Sequence, residues 1–240
     1  MTIKPSGIRA TLCKTVYKMW PPRINTTTAC FAENREAGLM VCGINWGGSP
    51  DEPSSGETAS FFSDCSVNNY PYRNRLLTWF ELFGHPLETK SNQAGSFEKS
   101  IIQTNWLSNQ SPNMNGKAIY AECIKEWGNF QYHLQELNPK IIIFLSVTLL
   151  EALNSLSHAN IVHSLLGAAE KPKYYKKSVQ SNGVQLKRFR VGAQKFKNAH
   201  IIALPHPTGS VGLSNDYIQA FKPEIFPIFE AYKYERKFTA

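Results

Sequence analysis

The sequence predicts an α/β protein, a three-layer α/β/α sandwich around a central, mostly parallel, four-stranded sheet. Three observations carry this expectation. Four short apolar runs are rich in β-branched residues and bounded by Gly, Pro or Asn. Helical patterns lie between them. Strand and helix therefore alternate along the chain, which is the pattern of a parallel sheet covered by helices on both faces.

The elements follow in order. Leu39 to Ile44 is the first strand, and the Pro-, Ser- and Gly-rich stretch from Gly47 to Asn69 reads as a long loop. Arg73 to Phe83 is a helix with Leu76, Leu77, Phe80 and Phe83 on one face. Ser100 to Thr104 is the second strand, and Trp106 to Gly116 a second long loop. Lys117 to Leu137 reads as one long amphipathic helix that stops before Asn138-Pro139. Lys140 to Leu145 is the third strand, followed at once by a helix from Thr148 to Leu156. His200 to Leu204 is the fourth strand, and Asn215 to Phe221 a helix capped by Ser214. The segment from Lys222 to Ala240, with Pro223 and Pro227, carries no clear pattern. Both long loops leave the C-terminal ends of strands, where open α/β sheets place their sites.

A chain of 240 residues that is 42% hydrophobic and 18% charged has ample material for one folded domain, residues 1–240. The longest apolar stretch, Ile141 to Leu150, is broken by Ser146 and Thr148, so no membrane span is expected. The first residues, MTIKPSGIRA, lack the apolar core of a secretory signal. The cysteines (13, 30, 42, 65 and 123) are odd in number and form no CxxC pair. They read as reduced thiols of a cytoplasmic protein rather than a disulfide frame, a zinc ribbon or an iron–sulfur site. The six histidines are scattered without ligand spacing, so no metal and no cofactor are expected.

The net charge of +8 is not spread evenly. Between residues 171 and 215 lie Lys171, Lys173, Lys176, Lys177, Lys187, Arg188, Arg190, Lys195 and Lys197, with no Asp or Glu. Tyr174, Tyr175, Phe189 and Phe196 are interleaved with them. Such a run alone reads as a solvated surface hairpin. Basic residues interleaved with aromatics also suit a polyanion with stackable bases.

Three motifs sit at strand ends. The first is VCGINWGGSP, residues 41 to 50, a tight polar turn that is neither a Rossmann nor a P-loop pattern. The second is LPHPTGSVGL, residues 204 to 213, where Pro205 and Pro207 fix the backbone on both sides of His206. The third is IIQTNWLSNQSPN, residues 101 to 113, which places Asn105 at the end of the second strand.

In this order the three motifs resemble those of the uracil-DNA glycosylase superfamily, over about residues 38 to 220. Gly43-Ile44-Asn45-Trp46-Gly47 is similar to its first loop, His206-Pro207-Thr208 to its last, and Asn105 to the residue that reads the base. Asn in the first loop is similar to the single-strand-selective monofunctional and mismatch-specific branches. The resemblance implies a glycosylase that flips a pyrimidine out of DNA and hydrolyses its N-glycosidic bond. Asn45 would orient the water and His206 would hydrogen-bond the departing base. Gly43, Ile44, Trp46, Gly47 and Asn105 would form the base pocket, with Phe61 or Phe62 stacking on the base. Lys187, Arg188, Arg190, Thr208, Ser210, Val211 and Leu213 would contact DNA, Val211 or Leu213 as the wedge that fills the gap. No motif position offers a lysine for a Schiff base, so a monofunctional enzyme is expected, acting as a monomer.

The sequence also departs from the family. Trp46 replaces the usual proline. Gly47 stands where the strictly uracil-specific branch has a tyrosine that blocks substituents at C5. An opened pocket implies tolerance of 5-substituted pyrimidines, extending to the hypermodified cytosines of phage DNA and hence to antiviral defence. A nucleic-acid-binding module that has lost catalysis is the alternative that Trp46 keeps in view.

Overall fold

The computed structural model describes residues 20–46, 61–66, 70–109 and 116–238. Gly47, which the motif reading made a pocket residue, lies outside them. In chain order the elements are α1 (Ala32–Arg35), β1 (Leu39–Gly43), α2 (Pro71–Leu82), α3 (Ser96–Lys99), β2 (Ile101–Asn105), α4 (Gly116–Lys125), α5 (Trp127–Leu137) and β3 (Ile141–Phe144). There follow α6 (Val147–Leu153), α7 (Ala159–Leu166), β4 (Lys173–Tyr175), β5 (Gln180–Ser181), β6 (Val184–Gln185), β7 (Val191–Lys195), β8 (His200–Ala203), α8 (Asn215–Gln219) and α9 (Lys222–Glu235).

The fold is α/β. The four expected strands are present as β1, β2, β3 and β8, side by side in the order β2-β1-β3-β8 and all parallel. The sheet nevertheless has six strands, not four: β7 adds antiparallel to β8, and β4 antiparallel to β7. Both extra strands come from the basic segment. Their sequences hide them. Val191-Gly-Ala-Gln-Lys lacks β-branched bulk because a Cβ at Gly192 would stand 2.6 Å from the Leu150 side chain of α6. The segment does hold a surface hairpin as well, β5–β6, turned by Asn182 and Gly183 at positive φ.

Alternation along the strands divides the core in two. Met40, Cys42, Ile102, Ile142, Phe144 and Ile201 join side chains of α4, α5, α6 and α7 in one apolar cluster. Leu39, Val41, Ile101, Ile141, Ile143 and Ile202 join those of α2, α3, α8 and α9 in the other. The unpatterned C-terminal segment is thus α9, which buries Ile225, Phe229 and Tyr232. Proline at its start costs no hydrogen bond, since the first N–H groups of a helix have no internal partner.

The expected long helix is two. Its apolar positions Ile119, Cys123, Trp127, Phe130, Leu134 and Leu137 run on one face without interruption, but Glu126 leaves helical geometry (ψ 20°) between α4 and α5. The break aims the first turn of α5 at the end of β2. There Asn129 Nδ2 donates to the Trp106 carbonyl (2.7 Å) and reaches that of Asn105 (3.5 Å). Among the described residues, no helix is long and apolar enough to cross a membrane.

Candidate active site

Parallel pairing brings the C-terminal ends of β1, β2 and β8 to one edge of the sheet. Gly43 and Asn105 are directly opposite in register. The glycine leaves room for the Asn105 amide: a Cβ at Gly43 would stand 2.3 Å from a terminal atom of that amide, which would have to move. Asn105 is 3% exposed. Its amide is satisfied when the oxygen accepts from Trp46 Nε1 (3.3 Å) and the nitrogen donates to the Thr104 carbonyl (3.3 Å). Trp46 Nε1 also donates to Asn25 Oδ1 at 2.7 Å. Ile44, Asn45 and Trp46 are half-buried, and Ile44 packs against the first cluster. Backbone bonds from Trp106 and Leu107 to the carbonyls of Gly43 and Ile44 lock the first loop to the end of β2.

His206 follows β8 by three residues and is half-buried. Its Nδ1 accepts the Gly209 N–H at 2.8 Å and the Thr208 N–H at 3.3 Å. A nitrogen that accepts carries no proton, so the neutral ring holds its hydrogen on Nε2. Burial lowers the pKa of the ring below the ordinary histidine value. The structure therefore holds a neutral imidazole with a fixed N–H donor.

Tyr72, on the first turn of α2, joins the two halves of the site. Its ring lies 5.7 Å from that of His206, tilted by 46°. Its hydroxyl is 3.6 Å from where a Cβ of Gly43 would be. Burial pushes the phenol up, and the nearby Cys42 adds to this, so Tyr72 is a neutral donor at any ordinary pH. Arg75, one turn on, fastens the His206 loop at both ends. Its guanidinium donates to the carbonyl of Pro207 (2.6 Å) and to that of Leu213.

The other expected residues fare differently. Leu213 is not an exposed wedge: it is 6% exposed, packs in the second apolar cluster and presents its carbonyl to Arg75. Val211 is 81% exposed at the tip of the same loop. Thr208 is exposed and Ser210 half-buried. Phe61 and Phe62 are both buried. Phe62 is a member of the second cluster beside Phe80, whereas Phe61 belongs to neither cluster. Arg188 is exposed. Lys187 donates to the Val211 carbonyl (2.8 Å), tying the basic segment to the loop tip. Arg190 pairs with Glu151, so part of its charge is already answered within the chain.

Sequence reasoning did not single out Tyr72, Arg75, Asn25 or Asn129. Each acts on a residue far away in the chain, Arg75 on Pro207 for instance, and no local spacing marks such a pair. Among the described residues, no group of three or more His, Cys, Asp or Glu side chains is placed to hold a metal ion. Cys42, Cys65 and Cys123 are free thiols. No protein-family model matches the chain, and none of the curated proteins matches it.

Proposed function

We propose that the protein is a monofunctional DNA glycosylase on a three-layer α/β/α sandwich, excising a uracil-type or C5-modified pyrimidine and leaving an abasic site. The observation that carries this reading is the neutral His206, whose Nδ1 is filled by backbone donors and whose ring lies against Tyr72, the hydroxyl of which reaches towards Gly43 at the end of β1.

Hydrolysis of an N-glycosidic bond forms a bond from water oxygen to the sugar C1′ and breaks that from C1′ to the base. The bonding electron pair leaves with the base, and negative charge gathers on its ring and O2. A fixed neutral N–H donor stabilises that charge without reorganising, and it strengthens as the charge develops. His206 fills that role. Asn45 positions the water; an amide is a poor base, so its contribution is orientation. The Asn105 amide, side by side donor and acceptor, reads the base edge. Phe61 or Phe62, both buried, is the face on which the base stacks. Val211 enters the space left by the flipped nucleotide, and Lys187 and Arg188 meet the phosphates. The reaction needs no cofactor. DNA is the partner, and the enzyme acts as a monomer.

The test is a panel of single- and double-stranded oligonucleotides carrying uracil, 5-hydroxymethyluracil, hydroxymethylcytosine and its glucosylated form, treated with alkali to reveal abasic sites. Cleavage at one of these bases, lost in Asn45→Ala with DNA binding kept, is the expected result. Binding without cleavage at any base would instead make the protein a nucleic-acid-binding module on this fold.

A further inference from the structure

The Nε2–H of His206 and the hydroxyl of Tyr72 have no hydrogen-bond partner among the described residues. The two side chains come from distant parts of the chain and lie ring against ring, 5.7 Å apart. Tyr72 is held from behind. Pro71 fixes the backbone at the start of α2, and the tyrosine packs against the second apolar cluster. Arg75, three residues on and so on the same face of the helix, grips the carbonyls of Pro207 and Leu213. One face of α2 therefore fixes both the loop that carries His206 and the ring that lies against it.

The hydroxyl itself reaches the end of β1. The place that a Gly43 Cβ would take has the Asn105 amide at 2.3 Å and the Tyr72 hydroxyl at 3.6 Å. Amide and phenol thus converge over the glycine, and phenol and imidazole converge at the rings. Packing alone would be served by phenylalanine, which carries no polar atom to desolvate. A hydroxyl taken from water and left unpaired is costly, and burial holds this one protonated.

We infer that Tyr72 is a catalytic residue: its hydroxyl donates, together with the Nε2–H of His206, to the O2 of the departing base. The inference rests on the glycosylase reading and adds a residue to that same site. Both donors stay neutral throughout. The bond from C1′ to the base breaks with its electron pair on the base, and the two hydrogen bonds strengthen as charge gathers there. The water that adds to C1′ gives up a proton and the base takes one up, so the sum is a neutral hydrolysis.

The experiment uses the full chain and the base that the oligonucleotide panel shows to be cut. Tyr72→Phe keeps the ring against His206 and removes only the hydroxyl. Single-turnover cleavage, affinity for the substrate duplex and melting temperature are measured for the variant beside wild type. Cleavage is expected to slow by about 10²-fold, the usual effect of losing one donor to a developing anion. Duplex affinity should stay within about twofold, because the bond is made chiefly in the transition state. The melting temperature should hold or rise, since no partner loses a hydrogen bond. A cleavage rate equal to that of wild type would overturn the inference and leave the glycosylase standing. A slower rate matched by an equal loss of duplex affinity, or by a lower melting temperature, would also overturn it and make the tyrosine a packing residue. The absence of abasic sites at every base in wild type would remove the glycosylase itself, and the role of Tyr72 with it.

Discussion

His206 Nδ1 accepts two backbone N–H groups, and that occupancy sets how the ring responds to pH. The neutral form is the competent one. Burial lowers the ring's pKa, so the neutral form persists below the usual histidine range. Activity is expected to stay level above about pH 6.5 and to decline only at more acid pH. A rate profile that already falls on lowering the pH through 7.5 would place a different group in control. His206→Ala should cost about 10²–10³ in kcat, the usual effect of removing one donor to a developing anion, with circular dichroism unchanged. Gly43→Ala is the second residue-scale test. Its methyl would displace the Asn105 amide, and packing strain of this kind costs about 1–3 kcal/mol. Thermal unfolding should fall modestly, while base excision should fall by far more than His-independent DNA binding.

The loop from His206 to Leu213 behaves as an element held by one side chain from another. Arg75 donates to carbonyls at both its ends and lies over the Trp79 ring at 5.8 Å. Arg75→Ala is expected to leave the sheet intact and loosen the loop, lowering the rate of base flipping in stopped-flow fluorescence. The two apolar residues of the loop separate by burial. Leu213→Ala should cost about 2–5 kcal/mol of stability, as for other buried leucines, whereas Val211→Ala should cost almost none and still slow excision from duplex DNA. Equal loss of stability in both variants would contradict the core position of Leu213.

Across the whole molecule, charge and protonation set its working conditions. His133 joins α5 to β2 and to residues 23–25. It is fully buried, with Nδ1 3.2 Å from Thr104 Oγ1 and Nε2 3.4 Å from the Asn25 N–H. Burial lowers its pKa to about 4. A folded pKa below the unfolded one means that the unfolded chain binds the extra proton first. Stability is then complete above about pH 6.5 and lost as the pH falls towards 4, by about 3 kcal/mol. Melting temperature against pH should show this slope in wild type and lose most of it in His133→Gln. The basic segment is less bare than its sequence: Arg190 pairs with Glu151, and Lys177 with Glu224 at 2.6 Å. DNA affinity should fall with salt at a slope of about −0.9 per phosphate neutralised, less steeply than nine free cations would give.

The sequence by itself determined the α/β class, the four parallel strands and the placing of Gly43, Asn45, Asn105 and His206 at strand ends. These are legible because a buried parallel strand must be a short apolar run, and because Gly, Pro and Asn punctuate the chain where it turns. The tertiary structure decided the rest. It made strands of Lys173–Tyr175 and Val191–Lys195, whose weak propensity is overridden by pairing to β8 and by the close approach of α6. It broke one amphipathic pattern into α4 and α5, buried Leu213 and left Val211 out. It set Tyr72 against His206 and Arg75 against Pro207. Local sequence carries the periodicity of burial, which is a property of single elements. Contacts between residues distant in the chain, from Gly43 with Asn105 to Arg75 with Pro207, leave no spacing to read, and in this chain those contacts set the candidate site.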